Sequence, residues 1–294
     1  MNQSPLSTPP PTFTQLVGGQ TPELLVMKSR LLRTHSIRGV WISSILTDSA
    51  INRKRIVLWE VMCKMFAVEI KNVLKRFSSG DRMNVLFNDL NFTVQEGELV
   101  VVQGKNGAGK STLLNMIAAM TPPNKGTVSV FGQDLLSLTR RPEWRMETIG
   151  YITDDCCLIP YLTAKQNLLM GVPSDDPAYE RVEKQAVALL LELGLNEQVI
   201  NENLEGLDVK DQMLATIGRI FMTEPKLILA DEPTKALGGC EGIEILERLL
   251  SFSRRKGTTV IMVSNENHFI DQADRTFRMD NGRVIPLEPR ERAL

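Results

Sequence analysis

The sequence predicts an α/β fold with a parallel sheet and an inserted helical lobe. Three observations predict it. Short apolar strands alternate with amphipathic helices over most of the chain, a glycine-rich loop joins one such strand to the helix after it, and another apolar strand ends in two acids.

Residues 1–64 stand apart from this pattern. Pro5, Pro9, Pro10 and Pro11 lie among Ser and Thr, and a weakly patterned basic stretch follows around Arg30, Arg33, Arg38, Arg53 and Arg55. No core-building element is legible there. The composition suits a disordered tail, a segment ahead of a later start at Met62 or Met65, or a basic regulatory arm for a membrane surface. The patterned domain begins at Phe66-Ala67-Val68-Glu69-Ile70 and is expected to span 65–290.

Val68 to Phe77 and Asn84 to Val94 alternate as half-buried strands around a Gly80-Asp81 turn. Glu98 to Gln103 forms a short apolar strand that runs into the glycine loop, and Ser111 to Met120 has helical spacing closed by Pro122-Pro123-Asn124-Lys125-Gly126. Thr127–Phe131 and Ile149–Thr153 are further strands. From about 154 to 218 the chain is mostly helical, with Ala178 to Leu193 strongly amphipathic and Gly194 placed as its C-cap. Strands return at Leu227–Ala230 and Thr259–Val263, separated by a helix over Gly242–Lys256.

Composition narrows the partners. With 34 basic and 35 acidic side chains the net charge is -1, so no global field favours nucleic acid, which is not expected as a partner. Cys63, Cys156, Cys157 and Cys240 lack zinc-type spacing and fit reduced cytosolic thiols. No stretch reaches the roughly 18 apolar residues of a membrane span, and no secretory signal is recognisable. Work at a membrane would therefore require docking through a partner.

Gly104-Lys105-Asn106-Gly107-Ala108-Gly109-Lys110-Ser111-Thr112 carries the chemistry. Glycines let the backbone curl so that successive N–H groups face a phosphate, and the helix beginning near Ser111 adds its positive end. Lys110 is placed for the β- and γ-phosphates of ATP, and the Ser111 hydroxyl for Mg²⁺. The complementary half is Leu227-Ile228-Leu229-Ala230-Asp231-Glu232-Pro233. Asp231 is expected to hold Mg²⁺ through its water shell, and Glu232 to polarise the attacking water.

These motifs resemble the ABC ATPase family, and within it the ATP-binding subunits of lipoprotein-releasing and macrolide-export type. The resemblance covers about residues 66–287. It rests also on Leu158-Ile159-Pro160-Tyr161-Leu162-Thr163-Ala164-Lys165-Gln166-Asn167-Leu168, on Lys226 and Thr234 flanking the acidic strand, and on Asp280-Asn281-Gly282-Arg283-Val284. It implies a P-loop NTPase of ABC type, with an antiparallel β subdomain and an inserted helical subdomain. It also implies a head-to-tail homodimer or heterodimer beneath a membrane permease subunit, peripheral on the inner face of the cell membrane. Phe77 resembles the family's adenine-stacking aromatic, for which offset stacking on a base is physically reasonable.

Four motifs depart from the family's pattern. Counting back from Pro225 without gaps places Leu207-Asp208-Val209-Lys210-Asp211 where the family has Leu-Ser-Gly-Gly-Gln, with Arg219 at a family arginine. The alternative register, Leu204-Glu205-Gly206-Leu207-Asp208, keeps one glycine and still puts an acid at the serine position. Asp154 stands at the glutamine position, Asn265 at the switch histidine, and Gly238 at the aspartate of the dimer-contact loop; His268 lies three residues beyond Asn265. An acceptor-only Asp208 would face phosphate in a poorly screened interface. Each missing transition-state donor typically costs about 2.7–4 kcal/mol. The expectation is ATP binding with slow hydrolysis, or hydrolysis in an asymmetric heterodimer. The alternative is a nonenzymatic ATP-binding regulator that braces a dimer.

Overall fold

Alternate side chains along each central strand are apolar on both faces, which requires a packed layer on each side of the sheet. The computed structural model describes residues 36–37, 40–41, 66–79, 82–153, 157–233, 235, 237 and 239–287. By its internal contacts the chain divides into Met1–Cys63 and Lys64–Leu294. Within the first unit, β1 (Ser36–Ile37) pairs antiparallel with β2 (Val40–Trp41).

The second unit holds two sheets. One is antiparallel and contains β3 (Phe66–Ser79), β4 (Arg82–Gln95), β6 (Lys125–Val130) and β7 (Gln133–Asp134), in the order β4-β3-β6-β7. The other contains β5 (Leu99–Gln103), β8 (Ile149–Thr153), β9 (Leu227–Asp231), β10 (Thr259–Val263), β11 (Arg275–Asp280) and β12 (Arg283–Leu287). Its order is β12-β11-β5-β10-β9-β8. Every neighbouring pair is parallel except β11 with β12 at the edge.

The helices are α1 (Lys110–Ile117), α2 (Arg141–Thr148), α3 (Ala164–Leu168), α4 (Tyr179–Leu193), α5 (Glu197–Ile200), α6 (Val209–Met222), α7 (Gly239–Lys256) and α8 (Asn267–Gln272). A two-residue period divides the core. Val100, Val102, Leu227, Leu229, Ile261 and Val263 pack with the antiparallel sheet and α1, through Ile70, Phe87, Leu113 and Ile117. Their neighbours Leu99, Val101, Ile228, Ala230, Val260 and Met262 pack with the helices, through Leu190, Met213, Ile217, Leu246 and Leu249. Full burial of each large aliphatic side chain stabilises the fold by about 1.5–3 kcal/mol, before the entropy of ordering it. The parallel strands thus end together, with the loops after β5, β9 and β10 on one edge.

The structure shifts several expected boundaries. The helix after the glycine loop stops at Ile117, three residues early, because Ala119 turns left-handed (φ 55) and the Met120 N–H returns to the Asn115 carbonyl at 2.9 Å. Helix α6 continues past 218 to Met222, where Phe221 is buried in the helical-side core. Helix α4 ends as its sequence indicates, on Gly194 at φ 101. Strands β7, β11 and β12 and helices α2 and α8 were not legible as separate elements.

Candidate functional site

Strand β5 delivers the chain into the glycine loop, and α1 starts directly after Gly109. Two glycines are required by the surroundings. Gly109 is left-handed at φ 105, and a Cβ there would lie 2.9 Å from the Phe87 ring. A Cβ on Gly104 would lie 2.5 Å from the Met279 carbonyl oxygen. Helix α1 begins with no side-chain cap and no acid in its first turn, so its positive end is left for something outside the helix.

Lys110 is buried at the start of that helix. Its Nζ donates to the carbonyls of Gly104 at 2.8 Å and Lys105 at 3.2 Å, and lies 3.5 Å from Glu232 Oε1. Glu232 follows β9 in a left-handed conformation (φ 45), with its N–H donating to the Val263 carbonyl at 3.1 Å. A glutamate at positive φ stores local strain, as functional sites often do. Asn265 closes the arrangement, accepting the Gly104 N–H on Oδ1 at 3.0 Å. Gly104 is therefore held on both sides, by Asn265 at its N–H and by Lys110 at its carbonyl.

These groups border a cleft of about 590 Å³ lined by Phe77, Leu86, Asn106, Gly107, Gly109, Lys110, Ser111, Thr112, Thr153, Asp231, Glu232 and Lys235. Most of the residues singled out from sequence meet there. Gly104, Lys105 and Ala108 do not line it: the first two supply carbonyls to Lys110, and Ala108 packs against the core. Leu86, Thr153 and Lys235 line it without belonging to a motif singled out above. Thr153 was accessible as the last residue of an apolar strand parallel to the one ending in Asp231. Beneath the cleft the Tyr151 hydroxyl donates to Asn115 Oδ1 at 3.2 Å, and burial, then the nearby Asp231 charge, raises its pKa well above the usual tyrosine range.

Phe77 is 43% exposed at one end of the cleft, with Lys75 Nζ 4.8 Å from its ring centroid. Among the described residues no group of three His, Cys, Asp or Glu could hold a metal by itself. Ser111 and Asp231 share the cleft as hydroxyl and carboxylate donors, which suits a hard divalent cation whose remaining ligands are water and phosphate oxygens.

Of the residues that depart from the family's pattern, Asp208 and Asn265 use side-chain oxygens within the chain. Asp208 is the N-cap of α6, and its Oδ1 accepts the Asp211 N–H at 2.8 Å. Because α6 starts at Val209 while Leu204–Gly206 is only a 3₁₀ turn, the ungapped register puts its motif at a helix start and the alternative does not. Burial, then the Asp208 charge, raises the Asp211 carboxyl pKa, with Lys210 opposing. His268 Nε2 lies 2.9 Å from Glu247 Oε1 and 2.8 Å from Gln272 Nε2, outside the cleft lining. Asp154 and Gly238 lie outside the described residues.

The sequence profile described as ABC transporter matches residues 87–235, from the middle of β4 through the acidic strand. The chain belongs to the ABC transporter family. It is an ATP-binding domain of that family. An uncharacterized ABC transporter ATP-binding protein of Methanocaldococcus jannaschii is 32% identical over 75% of this chain and 98% of its own length. The macrolide export ATP-binding/permease protein MacB of Haemophilus ducreyi is 31% identical over 74% of this chain, which spans only 31% of that longer protein. Among solved structures, the ATP-binding cassette MJ0796, captured as a post-hydrolysis dimer bound to ADP and Pi, superposes with a TM-score of 0.66. It is 27% identical, and the match covers 76% of this chain and 99% of that one.

Proposed function

We propose that this chain is the ATP-binding subunit of an ABC-type membrane transporter. It would bind Mg-ATP in the cleft and hydrolyse it slowly, or hydrolyse it in an asymmetric heterodimer. The observation that carries the reading is the buried Lys110 ammonium, held by two loop carbonyls beside Glu232 at the uncapped end of α1. That is a preassembled anion site with a carboxylate at its edge. The Asn106–Ser111 backbone and Lys110 would receive the phosphates, Phe77 would stack on the base, and Thr112 would close the cleft wall. Ser111 and Asp231 would hold Mg²⁺, which supplies charge neutralisation on the phosphates when bound. Glu232 would orient and polarise the attacking water.

Slow turnover follows from what Asp208 and Asn265 offer. Asp208 spends one carboxylate oxygen on its own helix and presents negative charge, while Asn265 spends its carbonyl oxygen on Gly104. Asp208 has no hydroxyl to donate, and Asn265 offers a neutral amide where the family's pattern has a histidine, so a homodimer would carry both departures at both sites. A heterodimer with an intact ATP-binding subunit would place the partner's intact signature over this chain's nucleotide. A membrane permease subunit would complete the assembly on the inner face of the cell membrane. Among the described residues no helix is long and apolar enough to cross it.

The Asn265 tether favours a second reading, a nonenzymatic ATP-bound brace. Phosphate release by the purified chain, alone and with an intact partner subunit, separates the two. The transporter reading expects slow turnover that falls at least about tenfold in Glu232→Gln. No turnover in either setting, with no effect of Glu232→Gln, would establish the brace.

A further inference from the structure

The geometry points to Lys75 as a positioning residue that fixes the Phe77 ring as the base-stacking platform and thereby sets affinity for nucleotide over bare phosphate. This rests on the proposed Mg-ATP site. Lys75 and Phe77 are two residues apart on β3, where the pairing with β4 is irregular between Lys75 and Arg76, and the Lys75 ammonium lies over the Phe77 ring. Lys75 is only 6% exposed, whereas Phe77, a wholly apolar side chain, is 43% exposed in the cleft wall. A lysine is rarely buried without purpose. Here its Nζ donates to the Pro122 carbonyl at 2.8 Å and sits 4.8 Å from the Phe77 centroid.

Two hydrogen bonds, one to the Asn124 side chain and one from its backbone, make the anchor rigid. The Arg76 N–H donates to Asn124 Oδ1 at 2.8 Å, and the Asn124 N–H donates to the Leu74 carbonyl at 2.9 Å. Pro122 and Asn124 follow α1, the helix whose first residue is Lys110. The platform is thus fixed to the far end of the helix that starts at the phosphate loop, which sets the spacing between base and phosphate sites. The ammonium does two things for the ring. It restricts the rotation of an otherwise half-exposed side chain, and it draws π-density toward one face, which favours an electron-rich base on the other.

The test is equilibrium binding of Mg-ATP and of inorganic tripolyphosphate with Mg²⁺ to the full chain, followed by calorimetry. Lys75→Met is expected to weaken ATP about fivefold and to leave tripolyphosphate within about twofold, while Lys75→Arg keeps both near the parent values. In a Phe77→Leu background, Lys75→Met should cost less than about twofold more, because the ring it serves is gone. A merely structural lysine, needed for its Pro122 bond, would give the same penalty in both backgrounds and would overturn the proposal. Equal losses for ATP and tripolyphosphate, or no loss for ATP, would also overturn it. Lys110→Ala keeps the two ideas apart: ATP binding that survives this change removes the nucleotide site itself, whatever Lys75 does.

Discussion

Two helix starts in this molecule treat negative charge in opposite ways. Helix α1 opens from Gly109 with no side-chain cap and no acid in its first turn, whereas α6 opens from Asp208, which caps the helix with its own carboxylate and is followed by Asp211. Both ends present unpaired N–H groups and a positive partial charge. At α1 that potential is left open beside Lys110 and the 590 Å³ cleft. At α6 it is answered from within the chain, by an anion covalently part of the protein. The same local device is thus an anion receptor in one place and a closed, self-satisfied cap in the other.

The largest way to break this contrast is at α1. Lys110→Ala should weaken Mg-ATP at least about a hundredfold, since it removes the charged hydrogen-bond donor and leaves the Gly104 and Lys105 carbonyls without the ammonium they now accept from; calorimetry would reveal it, and retained affinity would dissolve the receptor. Next is Gly109→Ala, which combines a left-handed backbone with a Cβ 2.9 Å from the Phe87 ring. Denaturant unfolding should show a loss of about 1–3 kcal/mol, with weaker nucleotide binding. An unchanged midpoint would mean that the loop is looser than this geometry.

The smallest effect sharpens the other end. Asp211 has a carboxyl pKa raised above 3.8, by burial first and the Asp208 charge second. A raised carboxylate pKa in the folded state means that the unfolded state gives up its proton first, so this group's contribution to stability falls as pH rises through the window above 3.8. In Asp208→Ser, Asp211 should titrate at lower pH than in the parent, by NMR, while its burial keeps it above the ordinary value. No movement would show that the two acids do not sense each other. Solvent screening keeps the accompanying change in stability small.

Much of this contrast was legible in the sequence, and for identifiable reasons. The glycine loop sits between an apolar strand and an apolar-striped helix, so local pattern and motif agree, and Asp231-Glu232 ends a strand whose period is clear. The cap at α6 was not read from sequence: Asp is a preferred N-cap residue, but Asp208 stood out there only as the replacement of a serine. The Asn265 contact is different in kind. It joins residues 161 apart, through a side-chain carbonyl and a backbone N–H, and no spacing rule reports such a bond. Helix α2 was missed because it buries none of its residues and so has no apolar stripe. Strand β11 does alternate, with Phe277 and Met279 buried, but Arg275, Thr276 and Arg278 between and before them weaken the pattern.

The most direct measurement is steady-state phosphate release by the purified chain carrying Asp208→Ser together with Asn265→His, with Mg-ATP affinity measured on the same protein. If the closed start of α6 and the tethered Asn265 are what hold turnover down, release should rise about a hundredfold or more, as expected for restoring transition-state donors, while affinity stays within about threefold. Turnover that remains at the parent level with nucleotide still bound would contradict the account.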